Sequence, residues 1–229
     1  GVAINVGDLG IVDTFRLLLD APGLPDQTRL RLARELADME LRTVEGQALD
    51  LGWARDARWD VSVDDYLYMA SHKTAYYSGA VPLVMGAICG GGTDAQVEGL
   101  RSFGMDCGLA FQIQDDLLNL VGDAKAQGKD FRTDITEGKR TLVAVWSLAH
   151  LAGPERDELL SLLSGETTDP AKLARAVELM ERAGGVEHVR AYARSLVRTA
   201  KSHLSNVDVL DEARATLLSM ADFFVERLD

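Results

Sequence analysis

Two adjacent carboxylates, Asp115 and Asp116, stand in an otherwise apolar stretch of the sequence. If the stretch is helical, Gln112 and Asn119 lie about one turn before and one turn after the pair and share its face. Adjacent carboxylates repel each other and resist burial, so a pair among apolar neighbours favours a hard cation. Mg²⁺ binds carboxylate oxygens together with the phosphate oxygens of a substrate. A bare Asp–Asp pair is more often a solvated helix edge, but the apolar flanks argue against that interpretation here.

A lysine, a threonine and a tyrosine form a second candidate group, within a segment whose apolar spacing is helical. Lys73 and Tyr77 are four residues apart and therefore share a helix face, and Thr74 lies beside them. A surface lysine next to a half-buried tyrosine is common in helices of every function. The group carries little weight unless other motifs accompany it.

Residues 122–138 form the longest stretch without helical periodicity and are rich in charge. Lys129 and Asp134 lie within this stretch, and Lys139 and Arg140 follow at the predicted start of the next helix. The N-terminus of a helix favours anions, and long loops in compact domains tend to be functional or disordered. A flexible charged loop would have the same spacing, so both interpretations remain open at this point.

Gly46 lies in the interior of a predicted helix, where glycine costs about 1 kcal/mol relative to alanine. It could mark close packing of two helices, or the approach of the backbone to a ligand. The nearby Gln47 and Asp50 are therefore candidate pocket groups, although a surface position for either residue is about as common.

These side chains need a scaffold, and the apolar spacing along the chain is helical nearly everywhere. The sequence offers no convincing period-two alternation bounded by turn residues, so we expect no strands. Two capping boxes mark helix starts, Ser62 with Asp65 and Thr93 with Gln96, and Pro82 predicts a kink. The predicted helices cover residues 2–19, 25–51, 62–89, 93–121, 139–151, 154–164, 169–183, 186–204 and 208–228. We predict one all-α domain over residues 1–229.

Composition and charge exclude several classes of protein. With 47% hydrophobic and 26% charged residues, the chain is too apolar to be disordered. Lys plus Arg number 24 and Asp plus Glu 36, and the resulting net charge of −12 argues against a nucleic-acid partner. Metal ions can nevertheless bridge an acidic protein to an anionic substrate. We expect no membrane span, because no run of about 18 apolar residues occurs. Two cysteines and no recognisable signal peptide favour the cytoplasm.

Together, and in this order, the motifs resemble those of the trans-type polyprenyl (isoprenyl) diphosphate synthases. The most specific element is Phe-Gln-Ile-x-Asp-Asp at residues 111–116. The other matching elements are Gly7-Asp8, Gly46-Gln47, Lys73-Thr74-Ala75, Gly128-Lys129, Asp134 and Gly138-Lys139. The resemblance covers roughly residues 7–141, and the helices after about Leu151 add little to it.

The resemblance implies an all-α, isoprenoid synthase-type bundle around a deep central cavity, in an enzyme expected to be a homodimer. Members of the family join an allylic diphosphate to isopentenyl diphosphate. Up to three Mg²⁺ ions hold the allylic diphosphate between two Asp-rich motifs and draw charge off the leaving group, so that an allylic cation forms.

The resemblance also implies roles for individual residues. The second Asp-rich motif would supply the metal ligands Asp115, Asp116 and Asn119, with Asp134 in the outer shell of a metal. Catalytic groups lining the reaction centre would be Lys73, Thr74, Tyr77 and Gln112. Substrate would be bound by Lys73, Gln112, Lys129, Lys139 and Gln47.

Two departures from the family pattern matter. The second motif usually ends in Asp, whereas this chain has Asn119, an uncharged and weaker ligand. The first Asp-rich motif and its arginine pair should lie upstream of Gly7, and Asp8, Asp13 and Asp20 do not have its spacing. We therefore expect about the first third of a family member to be missing, and no turnover by these 229 residues alone. Product length is set largely beside that first motif, so the sequence does not predict it.

Two other functions compete with this interpretation. A class I terpene cyclase shares the helical fold and the Mg²⁺–diphosphate chemistry, but it usually carries an Asn/Ser/Glu metal triad where this chain has Asp115 and Asp116. A non-catalytic regulatory subunit of a synthase is favoured by Asn119 and by the missing motif. Consumption of isopentenyl diphosphate would distinguish a synthase from both.

Overall fold

The computed structural model describes residues 1–122 and 131–227, and all regular structure among these residues is helical. The α-helices are α1 Val2–Asp20, α2 Asp26–Arg55, α3 Val63–Ala70, α4 Val81–Cys89, α5 Asp94–Val121, α6 Thr133–Thr136, α7 Leu142–His150, α8 Gly153–Leu163, α9 Pro170–Arg182, α10 Gly185–Ser205 and α11 Asp211–Glu226. A π-helix, Ser71–Ala80, joins α3 to α4 without interruption. None of the helices in the described residues is both long and apolar enough to cross a membrane.

Both predicted capping boxes are present. The hydroxyl of Ser62 accepts a hydrogen bond from the backbone N–H of Asp65, whose carboxylate accepts one from the N–H of Ser62. Thr93 and Gln96 exchange the same two bonds at the start of α5. Each box satisfies N–H groups that have no partner inside the helix, which is why α3 and α5 begin where the sequence predicts.

The sequence predicts a kink at Pro82, but the departure from α-helical geometry lies earlier, in the π-helix Ser71–Ala80. Pro82 instead occupies the start of α4. Proline has no N–H to donate back into the preceding turn, so it stands where the π-helix passes into α4 and not inside a regular α-helical ladder. Single π-helical turns occur often at functional sites, and here the longer π-helix contains Lys73, Thr74 and Tyr77.

Close backbone contact brings α5 against the π-helix. A Cβ atom at Gly104 would lie 2.5 Å from the carbonyl oxygen of Gly79, and one at Gly108 would lie 2.7 Å from the carbonyl oxygen of Ala75. Only glycine permits this approach, because any side chain would force the two backbones apart. The polar face near the end of α5 is consequently held next to Lys73.

Gly46 allows the same close backbone approach between α2 and the π-helix. A Cβ atom at this position would lie 2.3 Å from the backbone nitrogen of Lys73. Of the two interpretations offered by the sequence, close helix packing is the one the structure shows. The contact also brings Asp50, one turn further along α2, to the ammonium group of Lys73, with which it forms an ion pair.

Candidate functional site

A cavity of about 250 Å³ opens between α3, the π-helix, α5 and the turn before α7. It gathers side chains that the sequence singled out and that come from distant segments. The predicted residues among its lining are Lys73, Thr74, Gln112, Asp115, Asp116 and Lys139. Tyr66, Met69 and Ala70 complete the lining and were not predicted.

Asp116 is the most deeply buried charge of this cavity, with 3% of its surface exposed. Its carboxylate accepts hydrogen bonds from the Tyr66 hydroxyl at 2.9 Å, the Gln112 amide at 2.9 Å and the Lys139 ammonium at 2.8 Å. Burying a carboxylate is costly unless its oxygens are hydrogen-bonded, and three donors, one of them charged, fill three of its roughly four acceptor positions.

Lys139 joins Asp116 to a second acid. Its ammonium nitrogen lies 3.4 Å from a carboxylate oxygen of Asp134. Burial opposes the charge on Lys139, but the two carboxylates outweigh burial and raise the pKa of the ammonium group. Burial is the main cause that raises the pKa of Asp134 to about 7, and the nearby charge of Asp116 is the second cause. Lys139 is therefore fully charged at neutral pH, whereas Asp134 is close to half protonated when no metal is bound.

Asn119 supports Asp134 from the end of α5. Its amide oxygen accepts a hydrogen bond from the backbone N–H of Asp134 at 3.2 Å, and its amide nitrogen donates to the Thr133 hydroxyl at 3.1 Å. An amide both donates and accepts, which suits these two partners. Asn119 thus holds the first turn of α6 and with it the position of Asp134, while its predicted role as a metal ligand stays a prediction.

Asp115 faces outward and has a different partner. Its side chain is 57% exposed and accepts a hydrogen bond from the guanidinium of Arg227 at 3.0 Å. The same guanidinium lies over the ring of Phe111, 4.4 Å from its centre, and the buried Gln114 donates to the backbone oxygen of Arg227 at 3.1 Å. Sequence reasoning missed Arg227, because nothing in its local sequence signals a partner 112 residues away.

Tyr66 was also missed, although a signal for it exists. It lies seven residues, or about two helical turns, before Lys73, so helical periodicity places it towards the same face. Burial is the main cause that raises the pKa of Tyr66 well above its ordinary value, and the charge of Asp116 is the second cause. The phenol therefore remains a neutral donor to Asp116 throughout the physiological pH range.

Lys73 lines the cavity and is paired with Asp50. The remaining predicted residues that the structure describes do not line it. Tyr77, on the same π-helix, is 45% exposed, and Gln47 is half-buried on α2. Lys129 falls outside the described residues.

The donor set suits a metal ion that arrives with its substrate. In the described part of the chain, no three His, Cys, Asp or Glu side chains converge into a metal site by themselves. Mg²⁺ is typically held by one or two carboxylates together with substrate phosphates and water, rather than by an all-protein cage. Asp115 and Asp116 supply such a pair of carboxylates, and Lys73 and Lys139 supply positive charge for an anion beside them.

Comparison with known proteins agrees with this chemistry. Residues 1–180 match the family model described as Polyprenyl synthetase. The short chain isoprenyl diphosphate synthase of Methanothermobacter thermautotrophicus is 39% identical over 226 residues, which cover 99% of this chain and 67% of that protein. The geranylfarnesyl diphosphate synthase of Natronomonas pharaonis is 37% identical over 227 residues, which cover 98% of this chain and 63% of that protein.

Solved structures give the same answer for the fold. The structure of geranylgeranyl pyrophosphate synthase from Corynebacterium glutamicum, complexed with isoprenyl diphosphate and magnesium, matches with a TM-score of 0.90 at 33% identity. The match covers 99% of this chain and 63% of that one. Geranylgeranyl pyrophosphate synthetase from Pyrococcus horikoshii matches with a TM-score of 0.87 at 26% identity, over 96% of this chain and 65% of that one.

The chain is a helical bundle in which paired carboxylates and lysines line one cavity. This is the all-α fold of the isoprenoid synthases. The chain belongs to the polyprenyl synthetase family. It spans 67% and 63% of the lengths of the two relatives named above.

Proposed function

We propose that this chain serves a prenyltransferase reaction of isoprenoid biosynthesis, in which an allylic diphosphate is joined to isopentenyl diphosphate to give a longer trans-polyprenyl diphosphate. The proposal is carried by one observation, the convergence of Asp115 and Asp116 with Lys73 and Lys139 on a single cavity. Membership of the polyprenyl synthetase family supports it. The matched relatives named above are called synthases, so neither a terpene cyclase nor a regulatory subunit is favoured.

In this proposal Lys73 and Lys139 both bind the diphosphate. Lys139 is already charged and held by Asp116 and Asp134, so it needs no reorganisation to meet an anion. Lys73 comes from the π-helix and is oriented by Asp50. Mg²⁺ held by Asp115 and Asp116 would neutralise the negative charge that develops on the leaving diphosphate.

The remaining polar side chains would act beside the breaking bond. Gln112 lines the cavity with its amide nitrogen committed to Asp116, which leaves its amide oxygen to face positive charge in the substrate. Thr74 also lines the cavity, and Tyr77 lies three residues further along the π-helix. Lys129, as a further diphosphate contact, and Gln47, as a pocket group, remain part of the proposal.

Calorimetric titration with geranyl or farnesyl diphosphate tests this proposal. We expect binding that requires Mg²⁺ and that is lost in D116N. Equal binding without Mg²⁺, or unchanged binding by D116N, would contradict the proposed role of the carboxylates. A parallel assay with isopentenyl diphosphate tests elongation. Robust elongation by the 229-residue chain would overturn the prediction that a first Asp-rich motif is needed.

The proposal extends to assembly and location. A homodimer is supported by α1, which has no buried residue and carries large exposed apolar side chains such as Val2, Ile4 and Leu17. Light scattering after size-exclusion chromatography would report the mass of the particle. A cytoplasmic location is supported by Cys89 and Cys107, which are both free thiols in the structure.

A further inference from the structure

Arg140 is a buried cation without a carboxylate partner among the described residues. Only 5% of its surface is exposed. Its Nε donates to the backbone oxygen of Arg58 at 2.8 Å and its Nη1 to that of Gly138 at 2.7 Å. The guanidinium also lies over the ring of Trp59, 4.3 Å from its centre. The sequence places Arg140 at the start of a helix beside an anion, but α7 begins only at Leu142, and Arg140 points inward.

The burial of Arg140 opposes folding, so its presence calls for a physical explanation. Burial of an arginine without an acid costs free energy, and burial lowers the pKa of Arg140, against a smaller opposing effect of Asp50. Asp50 is itself paired with Lys73. A leucine or methionine would fill the same space without this cost. What only an arginine provides is a rigid fork that binds two carbonyl groups from two different segments while stacking on an indole.

One of those two segments also carries Lys139. The turn that carries Lys139 passes through Gly138 at a φ of 60°, where an added Cβ atom would lie 2.7 Å from the carbonyl oxygen of Leu163. Lys139 donates its backbone N–H to the carbonyl of Asp134 at 2.9 Å and accepts from Thr141 at 2.9 Å. Arg140 adds the link from this turn to the segment after α2, which contains Arg58 and Trp59. The turn is thereby held by hydrogen bonds both before and after Lys139.

We propose that Arg140 is a positioning residue, which holds the turn at Gly138 so that the ammonium of Lys139 stays between Asp116 and Asp134. The role concerns the placement of Lys139 and not contact with a ligand, because the guanidinium is committed to Arg58, Gly138 and Trp59. Any consequence for catalysis rests on the proposed function. The position of the Lys139 ammonium can be tested whether or not the proposed function is correct.

Nuclear magnetic resonance of lysine ammonium groups gives that test. An ammonium held by the buried carboxylate of Asp116 beside the carboxyl group of Asp134 exchanges its protons slowly and should give a sharp signal at mildly acidic pH, identified by its loss in K139M. We expect R140M to broaden or abolish this signal, and R140K to restore part of it. An unchanged signal in R140M would overturn the proposal, and so would the absence of a Lys139 signal from the native protein.

Arg214 provides a matched control. Its guanidinium also binds two backbone carbonyls, those of Leu204 and Val207, but at the junction of α10 and α11, far from Lys139 in the chain. We expect R214M to lower the melting temperature without altering the Lys139 signal. Loss of the signal in R214M as well would show a general effect of destabilisation and would overturn the specific role of Arg140.

The affinity for Mg²⁺–diphosphate separates this inference from the proposed function. If the native protein binds inorganic diphosphate, R140M should weaken binding about tenfold, yet by less than about twofold when K139M is already present. Equal losses in both backgrounds would contradict action through Lys139. If the native protein does not bind diphosphate, the proposed function fails, whereas the resonance experiment still decides the role of Arg140.

Discussion

The phenol of Tyr66 donates a 2.9 Å hydrogen bond to the carboxylate of Asp116 across a separation of 50 residues. Tyr66 is 1% exposed and Asp116 is 3% exposed, so both groups depend mainly on partners from the protein. The bond therefore joins α3 to α5 and fixes one oxygen of a candidate metal ligand. It leaves the other oxygen to Gln112 and Lys139.

Replacement of Tyr66 by phenylalanine should lower the free energy of unfolding by about 1–3 kcal/mol, because a buried charged acceptor loses one of its donors. Denaturant titration measures this change. The matched control is Y68F, which removes a hydroxyl that donates to Glu45 on the exposed side of the same helix. Y68F should cost less than about 0.5 kcal/mol. Equal effects of the two changes would show that the bond to Asp116 has no special weight.

The pKa of Asp134 predicts how the stability of the metal-free protein depends on pH. Its folded pKa of about 7 is raised above its ordinary value of 3.8, so folding favours the protonated form. The stabilising contribution is complete below the unfolded pKa and is lost as pH rises through the folded pKa. In EDTA, D134N should therefore be more stable than the native chain at about pH 8, by about 4 kcal/mol in the free energy of unfolding, and by only about 2 kcal/mol or less at about pH 5.

The control for this prediction is D157N, which removes a carboxylate from an exposed position on α8. It should leave the difference between the two pH values unchanged. A native-like pH dependence in D134N would mean that Asp134 is not the titrating group, and that burial beside Asp116 does not raise its pKa.

Gly46 and Gly52 lie on the same helix and should respond in opposite directions to alanine. G46A would push a methyl group against the backbone of Lys73, so we expect a loss of about 3 kcal/mol or more in unfolding free energy. Gly52 has nothing within 4 Å of the added atom, so G52A should gain about 0.5–1 kcal/mol through helix propensity. Urea titration of both variants measures the contrast, and a neutral G46A would refute the close approach of the two helices.

Local signals account for the part of the fold that the sequence predicts. The capping boxes at Ser62 and Thr93 fix helix starts through contacts three residues apart, and the glycines and prolines between helices mark most of the ends. The helix from Thr93 to Val121 is predicted to its last residue. The π-helix was not predicted, because one extra residue per turn leaves the apolar pattern of so short a segment almost unchanged.

The residues of the candidate site also fall into two groups, those that local sequence predicts and those that only the folded chain brings together. The cavity gathers Lys73, Gln112 and Lys139 with the paired aspartates, and these residues belong to motifs with a recognisable order in the sequence. Arg227 belongs to no motif, and the charged group that contains Arg140 does not predict its partners. Their partners come from segments 112 and 82 residues away, so only the folded chain brings them together. Long-range pairing of this kind is set by packing and not by local pattern.

Arg227 and a divalent cation should compete for Asp115. The guanidinium lies 3.0 Å from a carboxylate oxygen that the proposed function gives to Mg²⁺, so a metal ion must displace it or share the carboxylate. R227M should therefore raise the affinity for Mn²⁺, used as a paramagnetic probe, by about fivefold in the absence of diphosphate, which is the value of a partly exposed ion pair. Electron paramagnetic resonance of free Mn²⁺ measures the affinity.

Arg194 distinguishes this competition from a general effect of charge. It lines the same surface cavity as Arg227 and is exposed, and Asp115 is paired with Arg227 rather than with it. R194M should therefore change Mn²⁺ affinity by less than about twofold, because an exposed charge that does not touch the carboxylate is screened by water and salt. Equal gains in R194M and R227M would reduce the effect to net charge. A loss of affinity in R227M would instead mean that the arginine holds Asp115 ready for the metal.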